Sequence, residues 1–166
     1  VQTCALPISK RGADGLSQTR LAAIERAADP ANTVLVYSGF ESIVAWHFLM
    51  WTHRWEGVCD LGPAPMPTPK YKWIGILAPA VHHPTWTPAE HAAEIKRQLD
   101  CAFDKGYRVV AADIWKMSAE EISGQFLILS AGNRGPALHE LFNRDYSATP
   151  LTGPPPDVRY YEIKRR

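Results

Sequence analysis

Along the chain, short β-branched and aromatic runs with few charges alternate with longer segments whose apolar positions recur every three or four residues. That alternation predicts strands and helices taken in turn. The first run, "TVLVYSG" from Thr33 to Gly39, holds no charge and predicts a strand covered on both faces, as in a parallel sheet. "YKWIGILAPAV", Tyr71 to Val81, predicts the second strand, and "YRVVAADIW", Tyr107 to Trp115, the third. Before them, Leu21, Ile24 and Ala28 fall at helical spacing within Leu16 to Ala28, and Pro30 stops that helix. Ser42 to Trp55 predicts another helix, with Val44, Phe48, Trp51 and Trp55 along one side and Ile43, Trp46 and Met50 along the other. A helix apolar on every side needs cover on every side.

The clearest helix signal is Thr87-Pro88-Ala89-Glu90, a hydroxyl cap, a first-turn proline and a carboxylate that reaches back to the cap amide. This helix turns Ala92, Ile95, Leu99, Ala102 and Phe103 inward and Glu94, Lys96, Arg97, Asp100 and Asp104 outward, and Gly106 ends it. Ser118 to Glu121 repeats the capping pattern and opens a helix with Ile122, Phe126 and Leu129. "AGNRGP" breaks it, "ALHELFNRDY" adds a helical turn or two, and "ATPLTGPPPD" is a loop. "VRYYEIKRR" alternates as an edge strand with mixed faces. Prolines at 63, 65, 67 and 69 describe an extended strap across a surface. The expected fold is α/β: a three-layer open sheet of about four mostly parallel strands, helices on both faces, the last strand parallel or antiparallel.

At 166 residues, with 46% hydrophobic and 21% charged, the chain fits one ordinary folded domain. A net charge of +1 and a basic tail of only three residues, Lys164 to Arg166, argue against nucleic acid as a partner. No run approaches the ~20 apolar residues of a spanning helix. Residues 1–8, "VQTCALPI", resemble the in-frame translation of a common short-read sequencing adapter. The expectation is therefore a metagenomic reading frame whose native sequence starts near Ser9, with residues 9–166 forming one domain, the C-terminal fragment of a longer protein. Cys59 and Cys101 lack metal-ligand or CxxC spacing and read as two small buried hydrophobes, leaving the redox compartment open.

Ligands of open α/β sheets gather outside the carboxyl ends of the strands. There the chain places Ser38, Gly39 and Glu41 after the first strand, His82 and His83 after the second, and Asp113 at the third. Glu41 or Asp113 would orient a histidine as general base, or the set would hold a metal, against the plainer reading of hydrogen-bonded loop groups. The spacings call for no metal and no cofactor: "YSGFES" has one glycine and no phosphate-binding signature, and Ser38 sits in no G-x-S-x-G elbow. His47, His53, His91 and His139 read as structural, and Arg134, at the tip of "GNRGP", as part of a solvated loop.

"NTVLVYSGFESIVAWHFLMW", "FDKGYRVVAADIW" and the terminal "VRYYEIKRR" give the region a layout that resembles the soluble C-terminal domains of bacterial polytopic C-type-fold glycosyltransferases, of the dolichyl-phosphate-mannose-protein-mannosyltransferase-like kind. The resemblance implies an accessory, non-catalytic domain on the extracytoplasmic face, partnered by the membrane portion of the same chain and by a lipid-linked sugar. It carries over no catalytic residue. The dry helix Ser42 to Trp55, with its indole rings, agrees with a juxtamembrane position. The alternative is a self-sufficient soluble α/β enzyme or small-molecule-binding protein, cytoplasmic, using Glu41, His82, His83 and Asp113. A third reading is an interaction module built on Trp46, Trp51 and Trp55.

Overall fold

The computed structural model describes residues 29, 32–37, 72–77, 79–80, 83–111, 113–126, 132–151 and 159–166. The expected helices Leu16 to Ala28 and Ser42 to Trp55, the proline strap and the adapter-like start lie outside the described residues. In chain order the described elements are β1 (Thr33–Tyr37), β2 (Lys72–Gly75), α1 (Pro88–Asp104), β3 (Arg108–Ala111), a 3-10 turn (Asp113–Lys116), α2 (Ala119–Phe126), α3 (Gly135–Asp145), β4 (Tyr146–Pro150) and β5 (Tyr161–Arg165).

The fold is α/β, built on a five-stranded sheet in the order β2-β1-β3-β5-β4. β1 lies parallel to β2 and β3, with Leu35 opposite Trp73 and Val110. β5 runs antiparallel to both β3 and β4. The sheet is therefore mixed, which corrects the expectation of four mostly parallel strands. The extra strand is β4, which the pattern assigns to a helix end and a loop. Tyr146 leaves α3 directly in extended backbone (φ −134°, ψ 161°), and Leu151 N–H returns to the Tyr160 carbonyl at 2.9 Å to tie the hairpin.

Other boundaries move for local reasons. β2 stops at Gly75, and Pro79 already belongs to a turn whose carbonyl accepts the His83 N–H at 2.8 Å. β3 stops at Ala111, so Ile114 and Trp115 leave the sheet and enter the 3-10 turn, where Trp115 stacks on Phe142 at 4.1 Å. α3 is eleven residues long, longer than the expected turn or two. α1 begins and ends as its sequence dictates. Thr87 accepts from Glu90 N–H at 3.2 Å, and the Glu90 carboxylate accepts from Thr87 N–H at 2.7 Å. At the other end Tyr107 N–H reaches the Ala102 carbonyl and Gly106 N–H the Phe103 carbonyl, with Gly106 at φ +77°, a backbone that glycine adopts without strain.

Val34, Val36, Ile74, Val109, Ala111, Tyr161 and Ile163 belong to the same core as Ile95, Leu99, Ile122, Phe126, Leu138 and Phe142 from the three helices. Side chains alternate across a strand, so Leu35 and Val110 face the other way. They are only 3% and 1% exposed, and that second face is dry at its centre too. Beside it Arg108 and Glu162 pair across β3 and β5 at 3.0 Å. Cys101, expected to be a small buried hydrophobe, is half-buried and disulfide-bonded. Its partner lies outside the described residues, since it is the one cysteine among them.

Candidate functional site

β2 hands the chain to α1 through the loop 83–87, at the carboxyl end of the parallel strands. His83-Pro84-Thr85-Trp86 is a tight turn: Trp86 N–H donates to the His83 carbonyl at 3.1 Å, with proline in the position whose backbone angle it pre-sets. The turn brings its two ends together. The His83 and Trp86 rings stack at 4.0 Å with only 9° between their planes. His83 is exposed and Trp86 half-buried.

Below this loop lies Arg134, just 2% exposed. Its guanidinium donates to the Thr87 carbonyl at 3.4 Å and the Pro84 carbonyl at 3.5 Å, and so ties the loop to the start of α3. The expectation of a solvated loop tip is corrected. Gly135 explains the burial: a Cβ there would lie 1.9 Å from the Ala119 carbonyl oxygen and 2.1 Å from Ser123 Oγ. Only glycine allows α3 to start against α2, where Gly135 N–H donates to Ser123 Oγ at 3.2 Å. Burial lowers the Arg134 guanidinium from its ordinary value, yet arginine remains charged throughout the working pH range.

His91, fully buried, sits one turn into α1. Its Nε2 lies 2.8 Å from the Ile76 carbonyl, which can only accept, so Nε2 carries the proton. Nδ1 is then a bare acceptor, buried without a partner. The ring meets Phe126 edge-on at 5.2 Å. Burial drives the imidazole down to about 4, against the pull of the Ile76 carbonyl, and Arg134 adds to the fall. The ring is neutral at neutral pH and acts as a hydrogen-bonding strut.

One turn after His91 along α1 stands Glu94. Arg97 donates to both its carboxylate oxygens at 2.8 Å and Gln98 Nε2 to Oε1 at 2.7 Å. The Arg97 bond is the main cause that holds this carboxyl below its usual range.

Of the residues expected to form a site, Ser38, Gly39, Glu41 and His82 lie outside the described residues. His83 is in the loop just described. Asp113 opens the 3-10 turn after β3, so its backbone stands at the same carboxyl edge, two strands over from β2. Trp86, Glu94, His91 and Arg134 were not among those candidates. Among the described residues no group of three or more His, Cys, Asp or Glu is placed to hold a metal ion. Comparison with protein-family models, curated proteins and solved structures returned no match.

Proposed function

We propose that the chain is an accessory α/β domain, itself non-catalytic, of a membrane glycosyltransferase-like protein, and that it works on the extracytoplasmic face. The observation that carries this reading is the disulfide at Cys101. Disulfides persist in oxidising compartments and are rare where glutathione and thioredoxin keep thiols reduced. The layout of "NTVLVYSGFESIVAWHFLMW" and the terminal "VRYYEIKRR" supports the same assignment. No described helix is long and apolar enough to cross a membrane, so the membrane portion of the same chain is the proposed partner, with a lipid-linked sugar as the ligand they share. We further take the sheet as the middle of three layers, which the burial of Leu35 and Val110 supports.

The test is to express the complete reading frame, denature cells without reductant and label free thiols with a maleimide. Protection of Cys101 until reductant is added is the expected result. Immediate labelling, or an upstream sequence with no series of spanning helices, removes the reading.

One observation favours a second reading, a self-sufficient soluble α/β enzyme or small-molecule-binding protein. The loop 83–87 stands at the carboxyl edge of three parallel strands, where such folds take their ligands. Turnover or ligand binding by a chain that has no membrane partner would establish it.

A further inference from the structure

We propose that the outer side of β4 is a pairing edge for a second copy of this chain, held closed by Pro150 and Arg166. Among the described strands β4 is bonded on one side only, by β5. Ser147, Thr149 and Pro150 are exposed, so water reaches the strand.

The register decides which backbone groups face outward. Asp145 and Leu151 bond toward the β5 chain, through Arg166 N–H on the Asp145 carbonyl at 3.0 Å and Leu151 N–H on the Tyr160 carbonyl at 2.9 Å. Alternate residues of an antiparallel strand turn their N–H and C=O to opposite sides. Ser147 and Thr149, opposite Lys164 and Glu162, therefore point theirs at β5, and Tyr146, Ala148 and Pro150 point theirs away from it.

A two-fold axis at Ala148 would set two β4 strands antiparallel, a self-complementary arrangement. Ala148 would bond the same residue of the second copy, and each Tyr146 carbonyl would face position 150 of the other strand and need its N–H. This chain has removed both members of that outer contact. Pro150 has no N–H to give, and the Tyr146 carbonyl already accepts from Arg166 Nε at 2.8 Å. A docking copy would strip the guanidinium away and leave a carbonyl with no donor, which the bonds at Ala148 do not offset. Proline and charged side chains guard exposed strand edges in general. Here they block the donor and the acceptor of one and the same contact, so neither change alone should open the edge.

The test compares the purified chain, Pro150→Val, Arg166→Ala and the double variant by sedimentation. Wild type and both single variants should stay monomeric up to about 0.5 mM, and the double variant should dimerise with a dissociation constant at least about ten-fold lower. Adding Ala148→Pro to the double variant should return it to monomer, because it deletes the central donor. Both guarding residues are exposed, and melting curves check that each variant folds. Amide exchange on wild type needs no variant: Ala148 should exchange fast between slow Ser147 and Thr149. Any of five results overturns the proposal: a double variant that stays monomeric, a single variant that dimerises as tightly as the double, a dimer that survives Ala148→Pro, a wild-type dimer that Ala148→Pro abolishes, or an Ala148 amide as protected as its neighbours.

Discussion

The two ends of α1 are secured in opposite ways. At the N-terminal end the contacts have a backbone group on one side: the solvent-exposed Thr87–Glu90 cap, the buried His91 on the Ile76 carbonyl, and the buried Arg134 on two loop carbonyls. At the C-terminal end they are ion pairs near solvent. Asp100 takes Lys96 at 2.8 Å, Arg165 at 3.2 Å and the Tyr146 hydroxyl at 3.0 Å, and Arg165 also reaches Asp104 at 2.8 Å. Burial works against the charged Asp100, but these partners still hold its carboxyl below the ordinary range. Buried contacts of fixed geometry respond to shape and pH, whereas exposed ion pairs respond to salt. One end of the helix positions a surface loop and the other fastens the β4–β5 hairpin.

Four experiments press on that contrast. Gly135→Ala should do the most damage, because the added methyl meets a backbone carbonyl that cannot rotate away. We expect a loss of about 3 kcal/mol or more, roughly 10 °C in melting temperature for a chain this size, read by thermal unfolding. A melting point equal to wild type would mean that α3 does not start against α2.

Acidification comes next. Unfolded His91 takes up its proton near 6.5, whereas the folded ring does so only near 4. Between those values the unfolded state binds the extra proton, so stability falls as pH drops through the window, by about 3 kcal/mol in all. The carboxylates lowered by their partners, Glu94, Asp100 and Asp145, lose their contributions only below about 4.5, so the upper part of the window belongs to histidine. His91→Gln should flatten the urea-unfolding profile from pH 6.5 to 5. An unchanged slope in that variant would place the titration elsewhere.

Arg134→Met should cost about 2 kcal/mol, with the effect centred on residues 83–87. Hydrogen exchange there should speed up, while β4 and β5 keep their protection. Arg134→Lys should not restore it, since one ammonium lacks the planar fork that serves two carbonyls. Asp100→Asn, the mildest, should cost about 1 kcal/mol at low salt and progressively less as salt rises. Salt should leave the Arg134→Met difference unchanged. If the two variants respond to salt alike, the contrast between the helix ends fails.

Much of the fold could be read from local chemistry. The caps at Thr87 and Ser118 and the stop at Gly106 depend on residues within one turn, and the structure shows each bonded as the spacing implies. β4 was hidden because "YSATP" has no apolar run and ends in proline, and because Tyr146 continues the helical pattern of α3. Its place depends on β5, fifteen residues downstream of Tyr146 at its first residue. Of the candidate site, His83 was legible as a polar group after β2. Arg134 was not, since "GNRGP" looks like any solvated turn and its burial follows from a close approach between α2 and α3 that the local sequence does not encode. His91 carried a signal that helical spacing missed: it lies one residue before Ala92 and four before Ile95, on the edge of the apolar stripe.

The order β2-β1-β3-β5-β4 has a consequence for synthesis. Among the described strands β4 pairs with β5 alone, so the hairpin's first half leaves the ribosome before its described partner. It waits for Tyr161–Arg165 to arrive and slide in beside β3. Until then β3 presents an open flank, and a chaperone or neighbouring chain has that interval in which to compete for it.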